Sequence, residues 1–193
     1  MAAIIFAIII CNPSLEPLTE KLESIGYLTG SFVQTDYWAL TLDSGESCGT
    51  LHLAHPNLFM LEYSDYPGRA TGCTGDTVYT VDPEFSEILV YTGTPTGFLH
   101  ILSLPEEGLA STVYREEGDS LTVVISGEFD GGITEITAGY TMSDSLPYFL
   151  STLDANGNST SWELANLSVH RNPPDVFKIP DLSGYATVDA GSI

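Results

Sequence analysis

Leu15, Leu18, Leu22 and Ile25 recur at spacings of three and four, so one apolar stripe runs along a predicted helix over residues 13–25. Ser14 is placed to cap its start and Gly26 to end it. From Tyr27 the texture changes. Thr, Val, Tyr and Ile dominate, and turn residues recur about every 8–12 positions. Strands are predicted at 27–42, 48–55, 59–64, 69–73, 77–82 and 87–91. The turns between them are Asp43-Ser44-Gly45, Pro56-Asn57, Tyr66-Pro67-Gly68, Thr74-Gly75 and Asp82-Pro83. Residues 94–109 break the pattern: Phe98, Leu99, Ile101 and Leu102 have helical spacing, and Pro105 ends the run. Strands resume at 111–116, 121–127, 133–142, 147–154 and 159–170, with Asn156-Gly157 as a two-residue hairpin turn. Pro173-Pro174 introduces a last short strand at 176–179. The remainder of the chain reads as a loose tail, of which 190–193 lie beyond the domain.

About eleven antiparallel strands are too many for one flat open sheet. The expected fold is mainly β with helices (α+β): an unclosed antiparallel barrel, with an N-terminal helix and a helical lid or plug, in a single domain over 12–189. Residues 1–11 are all hydrophobic, too short a run to span a bilayer but the length of an export signal's apolar region. No Lys or Arg precedes the run and no Ala-x-Ala follows it, so the signal is not a clean one. Cys11 follows Ile10, where a lipidated cysteine normally follows a small residue, which argues against an anchor there.

The 193 residues hold 5 Lys plus Arg against 26 Asp plus Glu, for a net charge of −21. That leaves too few cations to neutralise a nucleic acid backbone or to build a basic membrane patch. Only 16% of residues are charged and the mean hydropathy is +0.12, unlike a disordered acidic segment. The composition is that of a folded domain with an acidic exterior. No nucleophile elbow, phosphate loop, dinucleotide fingerprint or zinc pattern is present. His52 and His55 would point to opposite faces of a strand, which does not suit one metal. Asp154-Ala155-Asn156-Gly157-Asn158 mimics the opening of a calcium loop, but Ser159 and Ala165 stand where Gly and Glu are needed, so it reads as a hairpin turn. Cys48 and Cys73 read as free or buried thiols. These absences favour a binding or carrier role over an enzyme, with no cofactor and no metal.

The segment from Cys48 to Pro83 is the most informative. A two-residue turn at Pro56-Asn57 would split its apolar residues between two faces. A three-residue turn over Pro56-Asn57-Leu58 pairs His55 with Phe59 and puts Leu51, Leu53, Phe59, Leu61 and Tyr63 on one face, with His55 at the rim. Register follows the buried face, so the second is expected. Tyr79 and Val81 are expected to extend that face, and Leu89 and Tyr91 with them.

These residues resemble the outer-membrane lipoprotein carrier protein family, LolA. The likeness rests on Ser31-Phe32-x-Gln34-Thr35, on the run from Gly49 through His55-Pro56-Asn57-Leu58-Phe59, and on Glu62-Tyr63 and Pro67. Gly75 with Thr77, Val81-Asp82-Pro83, Thr94-Pro95 and Phe177-x-Ile179-Pro180 continue it. It spans about residues 14–189 and is densest over 31–95.

The resemblance implies an unclosed barrel of about eleven strands around a cavity that holds lipoprotein acyl chains in transit across the periplasm. It also implies an inner-membrane donor complex and an outer-membrane acceptor. The expected wall is Phe32, Leu51, Leu53, Phe59, Leu61, Tyr63, Tyr79 and Val81, with Phe98 and Leu102 in the lid. The family often has Arg before the Pro of the turn, where it helps tie the lid shut. Here His55 stands there, a weaker latch of a residue type whose charge changes near neutral pH. The expected protein is a monomeric, exported carrier of acylated lipoprotein or lipid cargo, with no nucleic acid partner. A lipid-sensing regulator of the same fold and a β-rich surface protein with a filled core are the alternatives.

Overall fold

The computed structural model describes residues 16–55, 58–92 and 111–192. They form one short α-helix, α1 (Glu16–Glu23), a single 3-10 turn at Asp130–Gly132 and twelve strands. The first six strands are β1 (Tyr27–Trp38), β2 (Asp43–Ala54), β3 (Leu58–Tyr63), β4 (Ala70–Thr74), β5 (Thr77–Asp82) and β6 (Glu87–Thr92). The second six are β7 (Ser111–Glu117), β8 (Ser120–Ser126), β9 (Ile133–Thr141), β10 (Leu146–Asp154), β11 (Ser159–His170) and β12 (Ala186–Ser192). All twelve lie in one sheet in the order β12-β6-β5-β4-β3-β2-β1-β11-β10-β9-β8-β7. β7 and β12 are its edges, so the barrel is unclosed. Residues 1–11 and the predicted helical segment 94–109, with Phe98 and Leu102, fall outside the described residues.

One face of the sheet carries a single buried cluster reaching from Val78 of β5, through β1, to Leu121 of β8, with Leu22 and Ile25 from α1 and its following turn packed into it. The sheet curls so that this face becomes the inside. Gly49 shows how tightly the strands and side chains fit: a Cβ there would run into the Glu62 carbonyl oxygen, and the Phe32 ring sits over the same spot.

The chain end differs from the sequence expectation twice. Residues 176–179 form no strand: Pro173, Pro174 and Pro180 flank the segment and cannot donate to a ladder, so no pairing extends through it. The residues expected as a loose tail are β12, paired parallel to β6 from Ala186↔Glu87 to Ser192↔Thr92. Between β11 and β12 the chain straps across the outer face. Phe177 meets Tyr27 edge-on at 6.2 Å between ring centroids, and Leu182 and Tyr185 pack on Ala70, Tyr79, Val81 and Ile88. That crossing delivers the last strand parallel to its neighbour.

Two hairpins also differ in detail. β1 stops at Trp38 and the turn is 39–42, closed by Leu42 N–H donating to the Trp38 carbonyl at 2.8 Å. The predicted turn Asp43-Ser44-Gly45 is therefore strand, and Leu40 and Leu42 sit at the tip, 95% and 74% exposed. The β10–β11 loop is not a two-residue Asn-Gly turn. Asp154 N–H donates to the Asn158 carbonyl, and the Asp154 carboxylate accepts from Asn156 N–H, Asn158 N–H and Asn158 Nδ2. That is a three-residue hairpin loop held by an aspartate; those bonds keep its carboxyl below the usual carboxylate range.

Candidate concave binding face

Strand pairing builds the inner face in rows. One row reads Leu28–Leu53–Phe59–Cys73–Val78–Tyr91 across six strands. The next reads Gly30–Leu51–Leu61–Thr71–Thr80–Leu89. A third joins Leu164, Phe32, Gly49 and Tyr63. The predicted residues Phe32, Leu51, Leu53, Phe59, Leu61 and Tyr63 are thus together and buried. The β2–β3 pairing is Leu53↔Phe59 rather than His55↔Phe59. A slip of two keeps every side chain on its face, which is why the expected face survives the change of partner.

Tyr79 and Val81 do not belong to this wall. Cys73 pairs with Val78, so Tyr79 stands opposite Gly72 on the outer face, with Val81 beside it under the C-terminal strap. Both faces of β5 are covered, so both carry apolar residues. A Cβ at Gly72 would lie 2.6 Å from the Tyr79 ring, so the glycine makes the room the ring fills. Tyr79 Oη is buried with no hydrogen-bond partner among the described residues, and burial pushes its pKa up to about 12. Tyr79→Phe removes that stranded hydroxyl and is expected to stabilise the fold by about 1 kcal/mol in denaturant unfolding. The pH dependence has a definite sign. Tyrosine in the unfolded chain ionises near ~10. Stability is therefore full below that value and falls as pH rises through the folded value of about 12. Tyr79→Phe should lose less stability than the parent across that window.

The sequence reading missed half of the inner face. Leu121, Val123 and Ile125 of β8, Ile136, Ala138 and Tyr140 of β9, and Leu150 of β10 complete the cluster. Their strict alternation along strands is the signal that finds them. At one end the apolar rows give way to a polar belt. Tyr63 Oη and Trp162 Nε1 each donate to Gln34 Oε1 at 3.0 Å. Gln34 Nε2 donates to Asp36 Oδ2 at 2.8 Å, and Thr160 Oγ1 donates to Asp36 Oδ1 at 2.8 Å. Tyr63 is therefore both wall and belt. Its ring meets Phe32 edge-on at 5.4 Å, Arg69 stacks 4.7 Å from its centroid, and burial raises its pKa against the lowering effect of Arg69. Beside Phe32 and Leu164 lies an open groove of about 620 Å³, whose lining continues to Val33, Cys48 and Tyr148.

At the other end, His55 Nε2 lies 3.0 Å from the Leu22 carbonyl oxygen. A carbonyl only accepts, so Nε2 carries the proton. The bond ties the β2–β3 turn to the last turn of α1, where the same Leu22 carbonyl also accepts from Ile25 N–H at 3.1 Å. His52 points the other way, bonded to Tyr27 Oη at 2.6 Å and Glu62 at 3.3 Å. Cys48 is exposed and Cys73 buried, both free. Among the described residues, no group of three or more His, Cys, Asp or Glu could hold a metal ion.

Residues 23–180 match the family model of the outer membrane lipoprotein carrier protein LolA. The chain belongs to the LolA family. An uncharacterized conserved protein from Thermus thermophilus superposes with a TM-score of 0.55 at 14% identity, covering 92% of this chain and 99% of that one. A DUF1329 family protein from Desulfovibrio piger gives 0.50 at 8% identity, covering 84% and 93%. A LolA superfamily protein from Nitrosomonas europaea gives 0.45 at 9%, covering 85% and 97%. These identities speak for the fold alone. No curated protein matches the sequence. The LolA-type open barrel agrees with the pairing described above, and its inner face is the apolar surface that the rows assemble.

Proposed function

We propose that the protein carries acyl chains of lipoproteins or lipids through the periplasm on the concave face, and catalyses no reaction. The observation that carries this reading is the continuous row from Leu28 to Tyr91, apolar across six strands, with the belt around Gln34 lying further along the strands as the border of the apolar rows. Each acyl methylene taken out of water is worth ~0.8 kcal/mol, so a surface of this extent suits chains rather than a compact polar ligand. An unclosed barrel can widen at its free edges, β7 and β12, without breaking a strand pair. Export, a donor at the inner membrane and an acceptor at the outer membrane are part of the proposal, which LolA family membership supports. Phe98 and Leu102 are proposed to cover the loaded face.

His55 is proposed to act as a latch on α1. His55→Ala removes the bond to Leu22 and is expected to cost about 1 kcal/mol of stability. It should also speed release of a bound fatty acid, measured by stopped-flow fluorescence. An unchanged release rate would remove the latch role. The carrier reading is tested by mass spectrometry of lipid extracted from the protein purified without detergent. Acylated species in stoichiometric amount are expected, and their absence would speak for a filled core.

A further inference from the structure

The three most exposed large apolar side chains among the described residues are Leu40 at 95%, Leu42 at 74% and Phe85 at 68%. They are far apart in sequence but share one end of the barrel. β1 runs to this end and β2 leaves it, so the 39–42 tip lies there. β3 runs back to it, β4 leaves it, and β5 returns, which places the turns 64–69 and 83–86 at the same end. The last two touch, Tyr66 Oη donating to Glu84 Oε2 at 3.1 Å. Trp38 and Tyr66, 47% and 43% exposed, add aromatic rings to this rim. Among the described turns at the opposite end, 75–76 and 118–119 carry Gly and Asp, and 142–145 carries Ser, Asp and Ser after Met142, which at 36% is far less exposed than the two leucines and Phe85.

Leucines at a hairpin tip are not needed for folding, since nothing among the described residues covers them. The residues between the apolar tips are acidic: Asp43, Asp65 and Glu84 are all exposed. Arg69 is the basic side chain at this end, and it is drawn in over the Tyr63 ring. The rim therefore pairs separated apolar points with carboxylates. A protein groove would have to match the spacing of the points, whereas a fluid bilayer accepts them wherever they fall. Carboxylates repel an anionic surface but complement the ammonium groups that zwitterionic headgroups present outermost. The belt residues Asp36 and Thr160 and the half-exposed Trp38 line a cleft of about 230 Å³ at this same end, with Ile133, which also packs on the inner cluster. The rim is thus continuous with the mouth of the concave face.

We infer that this rim docks on a zwitterionic bilayer surface, with Leu40, Leu42 and Phe85 inserting among the lipids and the mouth of the concave face held against them. The inference rests on the carrier reading and deepens it by naming the surface at which acyl chains enter or leave. Its test is sedimentation of the full chain with phosphatidylcholine vesicles. Binding is expected, and replacing a third of the lipid with phosphatidylglycerol should weaken it. L40S/L42S/F85S should lower the partition coefficient about tenfold or more while leaving thermal unfolding unchanged, because the side chains are exposed. Acyl-brominated phosphatidylcholine should quench the protein's tryptophan fluorescence, and Trp38→Phe should remove most of that quenching. No vesicle binding, equal binding by the triple variant, or tighter binding to the anionic vesicles would each overturn the inference. Binding of a fluorescent fatty acid in vesicle-free buffer reads the carrier function separately, and the triple variant should keep it.

Discussion

Phe59→Glu is expected to abolish acyl-chain binding. Phe59 is 4% exposed in the middle of the inner row from Leu28 to Tyr91, between Leu53 and Cys73. A carboxylate there has no cation within the row to pair with, and desolvating an unpaired charge costs several kcal/mol. The site answers by admitting water, and the apolar surface an acyl chain needs is lost. Two companion variants separate binding from folding. Phe59→Leu keeps an apolar side chain and should keep binding within a few-fold. Leu89→Glu places the same charge at the half-buried end of the next row, where the fold tolerates it, and should still weaken binding strongly. Fatty-acid titration with a circular-dichroism check on each variant reads both quantities. Full binding by Leu89→Glu would show that the chain lies elsewhere than along these rows.

Gly49→Val is expected to be the most destabilising single change on the inner face. The added Cβ meets the Glu62 backbone carbonyl and crowds the Phe32 ring, and neither has a rotamer change that makes room. β3 must move off β2, and with it the pairs Leu51↔Leu61 and Leu53↔Phe59. Overpacking in a close-fitting core costs about 3 kcal/mol or more, on the order of 6–12 °C in Tm for a chain of this size. Differential scanning calorimetry reads the shift directly. A Tm within a degree or two of the parent would mean that β2 and β3 are not pinned as described.

Much of the fold is legible because one physical rule dominates it. Where a strand has one covered face, alternation shows which residues go in, as in Leu51-x-Leu53 and Phe59-x-Leu61-x-Tyr63. The rule fails where its premise fails. β5 is covered on both faces, so Val78, Tyr79 and Val81 are all apolar, and the pattern alone cannot tell wall from strap contact. Only the pairing of Cys73 with Val78 separates them. β12 is built of small residues and held by backbone pairing along β6, so it leaves almost no side-chain signal. The tip from Trp38 to Leu42 fails in a different way: Leu40 and Leu42 look like strand residues and are left exposed. Places where local pattern and structure disagree with no folding gain are where function is worth seeking, and the rim proposal starts from one of them. The belt around Gln34 was illegible because Tyr63, Trp162 and Asp36 meet only after β1, β3 and β11 have come together.

The central claim is that the concave face holds acyl chains. The most direct measurement is a titration of the purified, delipidated chain with a fluorescent fatty acid, followed by displacement with an unlabelled one. Saturable binding near one to a few chains per protein, lost in Phe59→Glu and Leu89→Glu and kept in Phe59→Leu, is the predicted result. No saturable binding by the parent protein would contradict the carrier account and leave the inner face as an ordinary filled core.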